Sequence, residues 1–221
     1  MTSTEITQRY QAIVKRSFER HLDLFLTAQF LRSSAQALAV SPDSYRTFQP
    51  TDHEWSSYLS SHQAKSFDAA FGNGTIRELD DAIKTWWKEV GDEKFKYEQI
   101  HREQYCISQQ EFHNLFASQA ELCCEYCHTT ETQLKTLIKA GQIQTKRLRT
   151  RGATFEIDCR NPHLGYTQGN LAICCYWCNN AKTDEFGQEE FQPVAEAMSL
   201  IWKGRLSACG AILPALSTPQ L

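Results

Sequence analysis

From Ile6 onward, apolar residues return at every third or fourth place. Ile6, Tyr10, Ile13, Val14, Phe18, Leu22, Phe25, Leu26 and Phe30 share one face of a 3.6-residue period. This spacing predicts a long amphipathic helix from about residue 5 to residue 39, ended by Ser41-Pro42. A second helical stretch, about 52 to 71, carries Trp55, Tyr58, Leu59 and Phe67, and breaks at Gly72-Asn73-Gly74. Thr75 with Glu78 reads as a capping box for a third helix bearing Leu79, Ile83, Trp86 and Trp87, and Ser108 with Glu111 repeats the signal before Phe112, Leu115 and Phe116. These aromatics are read as core.

Beyond about residue 118 the period changes. Thr129 or Thr130 can cap a short helix with Leu134, Leu137 and Ile138, which Gly141 would stop. Residues 154–158 and 171–175 read as short strands around the turn-forming Asn161-Pro162 and Gly165-Tyr166, and a helix opens at Asn179. A last amphipathic helix, 188–206, is lined by Phe191, Val194, Ala195, Met198, Ile201 and Trp202. The fold class expected is α+β and mainly helical: a helical region over 1–118, suited to partner binding or self-association, and a metal-braced domain with a C-terminal helix over 119–221.

Within the second region the cysteines change the picture. Cys124-Glu-Tyr-Cys127 and Cys175-Tyr-Trp-Cys178 are two C-x2-C knuckles, supplying four thiolates, the number a structural zinc takes with no open position. A single such pair is as readily a buried or redox dithiol; two pairs favour Zn2+. Cys123 and Cys174 precede knuckle cysteines and His128 follows one, so the register has alternatives. The chain has 221 residues, nine cysteines and no secretion signal or long apolar run, which favours reduced thiols and a cytoplasmic protein with no membrane span.

A net charge of −3 does not advertise nucleic-acid binding. Lys146-Arg147-Leu-Arg149-Thr-Arg151, however, places four cations inside the loop between the knuckles, where Arg149 and Arg151 suit phosphate contact better than a merely solvated face.

The run Ile157-Asp158-x-x-Asn161-Pro162-x-x-Gly165-Tyr166-x-x-x-Asn170-Leu171, followed by Cys175-x-x-Cys178-Asn179-x-x-Lys182, resembles the HNH endonuclease family over roughly residues 124–184. The resemblance implies a zinc-braced ββα-metal domain that hydrolyses DNA, most simply double-stranded, with Mg2+ or Mn2+. It puts Asp158 and Asn179 on the catalytic cation and Asn170 in the brace between the strands, and matches Lys182 to the family's helix lysine; Lys182 and Arg160 are the substrate-binding candidates beside them. Where the family commonly has its general base, this chain has Cys159; His163, four residues on, is the alternative base. A variant of the family with Asp-Arg at this point keeps the same Gly-Tyr turn. Anti-phage defence or a mobile element in bacteria is the setting such a nuclease implies. Cys159 also suggests a second reading, a catalytically silent zinc module that binds DNA or protein, and a thiol redox protein is a third.

Overall fold

The computed structural model describes residues 2–33, 38, 40–63, 69–72, 74–144, 146–149 and 154–210. The chain divides into two compact units, Met1–Gln109 and Gln110–Leu221. The described structure is mainly helical, with two small antiparallel sheets. No helix among the described residues is long and apolar enough to cross a membrane.

The first unit is built on α1 (Ser3–Arg32), which begins at a capping box: the Glu5 N–H donates to Thr2 Oγ1 and the Thr2 N–H to the Glu5 carboxylate. Every residue of the predicted apolar stripe from Ile6 to Phe30 is buried. Burial stabilises by roughly 1.5–3 kcal/mol for each large aliphatic or aromatic side chain, so that stripe is a large favourable term for this unit. The helix stops at Arg32 rather than near residue 39, because Ser33 turns extended. Residues 34–37 and Ala39 lie outside the described residues. Ser41-Pro42 does more than end a helix, since Ser41 caps α2 (Pro42–Arg46) with Pro42 at its first position.

The stretch expected as one helix from 52 to 71 is two elements. Helix α3 spans Asp52–Gln63, while β1 (Ala70–Phe71) pairs with β2 (Gly74–Thr75) as a minimal hairpin at the glycines; Phe67 lies outside the described residues. Thr75 and Glu78 form the expected capping box of α4 (Ile76–Glu89). Helix α5 (Lys94–Gln104) closes the unit and places Tyr97 and Ile100 in a core with Phe18, Leu22, Phe25, Tyr45, Phe48 and Trp55.

A polar chain runs through this core. Tyr45 Oη lies 3.0 Å from His21 Nδ1 and 3.1 Å from His101 Nδ1, and His101 Nε2 lies 2.9 Å from Ser17 Oγ. Burial pushes His21 down to about 4, and burial with the neighbouring His21 pushes His101 down to about 3. The Tyr105 hydroxyl sits 2.9–3.1 Å from the carbonyls of Tyr45, Arg46 and Phe48, satisfying the end of α2.

The second unit contains α6 (Gln109–Ala117), α7 (Glu131–Lys139), the hairpin β3 (Phe155–Cys159) and β4 (Leu171–Cys175), α8 (Tyr176–Lys182) and α9 (Gln188–Ala208). Thr130 is the residue that caps α7, and Gly141 stops it at φ +68. Strand β3 starts and ends one residue later than expected, so Cys159 belongs to it. Helix α8 begins at Tyr176, three residues before Asn179, because the second knuckle's intervening residues already form a helical turn. Helix α9 buries Phe191, Ala195, Ser199, Trp202 and Leu206; Val194 and Ile201, expected on that face, are about half exposed.

Candidate metal centre and acidic strand

The two knuckles converge. Cys124, Cys127, Cys175 and Cys178 are all buried and their sulfurs lie within 4.8 Å of one another. Cys127 and Cys175 Sγ are 3.8 Å apart, and a tetrahedral Zn–S bond of about 2.3 Å puts ligand sulfurs roughly that far apart. The cluster can therefore hold a metal such as zinc. None of the nine cysteines forms a disulfide. Cys123, an alternative in the register, is only half-buried, and burial pushes its thiol up to about 11. Cys174 is also raised by burial, a neutral core thiol.

Local backbone geometry makes the cluster. In the first knuckle the His128 N–H donates to the Cys124 carbonyl at 2.9 Å, with His128 in the left-handed region at φ 56, and the Cys124 N–H donates to the Thr129 carbonyl at 3.0 Å. The Glu125 N–H then donates to the Ile173 carbonyl at 2.9 Å, docking the knuckle on β4. Strand β4 runs directly into α8, so Cys175 and Cys178 sit at a strand end and one helical turn on. Contacts from the thiols of Cys124, Cys175 and Cys178 hold Cys127 well below the ordinary thiol range, and contacts with Cys124, Cys127 and Cys175 push Cys178 up. Four sulfurs this close cannot all ionise unless a cation compensates them.

The hairpin sets the second group. Antiparallel pairing puts Glu156 opposite Cys174 and Asp158 opposite Ala172, and the two carboxylates, two residues apart, share one face of β3. Asn179 Nδ2 of α8 donates to Glu156 Oε2 at 2.5 Å. Asp158 is buried; its Oδ2 accepts from the Tyr126 hydroxyl at 2.7 Å and forms an ion pair with Lys182 Nζ at 3.0 Å. Burial and the bond to Asp158 raise Tyr126, which keeps the phenol a neutral donor.

Lys182, expected against substrate, has no solvent exposure: it ends α8, ion-pairs with Asp158 and donates to the Cys159 carbonyl at 2.8 Å. A lysine so enclosed offers no charge to a phosphate in solvent. Arg160, also expected against substrate, is held by Glu125 through Nε and through Nη2 to Oε2 at 2.7 Å, and Nη1 donates to the Gly169 carbonyl at 2.7 Å. Arg149 lies exposed in the 3-10 turn Lys146–Arg149 with Lys146 and Arg147. Arg151 lies outside the described residues.

Asn170 is buried and spans the connection between the strands. Its Oδ1 accepts from the Asn161 N–H at 2.9 Å, and its Nδ2 donates to the carbonyls of Asn161 at 2.8 Å and Gly165 at 2.7 Å. His163 is exposed in the turn Pro162–Leu164, which Asn161 caps through its side chain. Cys159 is buried.

Three residues around the site were not singled out from sequence: Tyr126, Glu125 and Glu156. For Glu156 a signal existed, since period two in a strand puts it beside Asp158. Tyr126 and Glu125 fill the variable places of a C-x2-C knuckle, where nothing in the spacing distinguishes them. Comparison of the chain with models of known families, with curated proteins and with solved structures finds no match.

Proposed function

We propose that the second unit is a metal-dependent HNH-type endonuclease that hydrolyses DNA phosphodiester bonds, with Zn2+ structural in the four-cysteine cluster. The reading rests on one arrangement: a two-stranded hairpin running into a helix, with Glu156 and Asp158 on the strand, Asn179 on the helix 2.5 Å from Glu156, and the cysteines bracing their junction. Asp158 and Asn179 would hold Mg2+ or Mn2+, with Glu156 beside them; turning the Asn179 amide over presents its oxygen. Oxygen donors suit these hard cations and thiolates suit zinc, so the two metals have separate sites. The hard cation supplies stabilisation of charge at the scissile phosphate.

The remaining steps fall to this chain's own groups. His163 takes the proton from the attacking water, because it is exposed whereas Cys159 is buried. Lys146, Arg147 and Arg149 contribute sequence-independent phosphate contacts to a double-stranded DNA. The first unit serves partner binding or self-association, and anti-phage defence or a mobile element is a setting in keeping with this activity.

A second reading is favoured by Asp158 itself. Its Oδ2 already carries a phenol and an ammonium, and Cys159 stands where a base is usual, which suits a silent zinc module that binds DNA or protein. Incubating the protein with plasmid DNA, with Mg2+ or Mn2+ and with chelator, separates the two. Cation-dependent nicking or linearisation supports the nuclease; DNA retention without cleavage under every cation supports the silent module.

A further inference from the structure

The carboxylate of Asp158 is asymmetric. Oδ2 takes both Tyr126 Oη at 2.7 Å and Lys182 Nζ at 3.0 Å, whereas Oδ1 accepts nothing from the described residues. The side chain keeps 10% of its surface in contact with solvent, although Tyr126 and Lys182 are enclosed.

Tyr126 is held independently of this bond. It lies between two metal-cluster cysteines, its ring packs edge-on against Phe191 at 5.5 Å, and its residue is 1% exposed. The phenol is consequently a fixed donor, carried by the knuckle whose preceding residue bonds the Ile173 carbonyl of β4.

We propose that Tyr126 is a positioning residue for the catalytic cation: through Oδ2 it fixes the rotation of the Asp158 carboxylate so that Oδ1 alone is offered to Mg2+ or Mn2+. The proposal rests on the nuclease reading for its cation and adds a residue to it. Lys182 supplies the counter-charge at Oδ2. The Tyr126 hydrogen bond is the directional contact on the carboxylate, whereas the ion pair with Lys182 supplies charge without a fixed angle. With the phenol removed, the ammonium can draw both oxygens to itself and the cation must compete with it for Oδ1. The four-cysteine cluster is thereby connected to the acid through one side chain, beyond its bracing of the backbone.

The test is Mn2+ binding, read by electron paramagnetic resonance on the zinc-loaded protein without DNA. Tyr126→Phe deletes one oxygen and keeps the ring. It should weaken Mn2+ binding about tenfold, in line with the worth of one hydrogen bond to a charged group. Its zinc content should match the parent's and its KM for plasmid DNA should stay unchanged. Phe191→Leu, which loosens the same packing without touching the hydrogen bond, should lower the melting temperature and leave Mn2+ affinity at the parental value. Equal Mn2+ affinity in the parent and Tyr126→Phe would overturn the positioning role, as would an equal loss in Phe191→Leu. A parent that binds Mn2+ through Asp158 yet cuts no DNA would overturn the nuclease reading and leave the positioning role standing. A parent that binds no Mn2+ would overturn both.

Discussion

Lys182 Nζ lies 3.0 Å from Asp158 Oδ2 with no solvent exposure at all, so the last residue of α8 and the fourth residue of β3 are joined by a buried ion pair. Its position at the C-terminal turn of the helix is also where the backbone dipole favours a cation. A charge so enclosed cannot lose its partner cheaply.

Lys182→Met should destabilise the second unit by about 3–5 kcal/mol, since it leaves Asp158 buried and uncompensated. Asp158→Asn added to it should restore much of that loss, because the pair is then removed rather than broken. Urea denaturation of the two variants and the parent checks this; additive losses would mean that the two residues do not interact.

The four-cysteine cluster should hold about one zinc per chain. Because metal binding and folding are coupled, Cys175→Ser should give aggregated or protease-sensitive protein rather than a folded slow enzyme. Elemental analysis of freshly purified protein and limited proteolysis of the variant measure both.

Buried His101 and partly buried His21 of the first unit fix a pH dependence. Folded His21 and His101 titrate at about 4 and about 3, below the ordinary 6.5. The unfolded chain therefore binds more protons than the native one as the pH falls below 6.5. Their contribution to stability is present above 6.5 and lost on acidification toward 4, at up to about 1.4 kcal/mol per pH unit for each imidazole. Chemical denaturation between pH 7.5 and 5 should show this slope, and His101→Gln should reduce it.

Local chemistry in the sequence announced much of this. The Thr75 and Glu78 pair located the start of α4, the stripe from Ile6 to Phe30 located the face that α1 buries, and the two C-x2-C spacings located the four-cysteine cluster. Each is a contact between near neighbours or a regular period. The end of α1 at Arg32 had no such mark, because Ser33 turns extended where the sequence offers neither proline nor glycine. The start of α8 was hidden by the knuckle, whose spacing is common to a turn and to a helix. The pairing of Asp158 with Tyr126 and Lys182, and of Arg160 with Glu125, depends on how the knuckle docks on the hairpin. Lys182 and Arg160 read as free cations in sequence and become internal partners only once that docking exists.

The base is testable by contrast. His163→Ala should lower the cleavage rate by about 10^2 to 10^4 with little change in DNA affinity, while Cys159→Ala should cost much less. Single-turnover rates with binding measured in parallel decide it. A larger loss in Cys159→Ala would assign the proton transfer to the thiol.

The central claim is that β3 and α8 carry a hydrolytic site distinct from the cysteine cluster. Plasmid cleavage by Asp158→Ala and Asn179→Ala, each with its zinc content determined on the same preparation, tests it most directly. Loss of Mg2+- or Mn2+-dependent cleavage in both variants, with about one zinc per chain retained, is the result predicted here. Cleavage at the parental rate by both variants would contradict it.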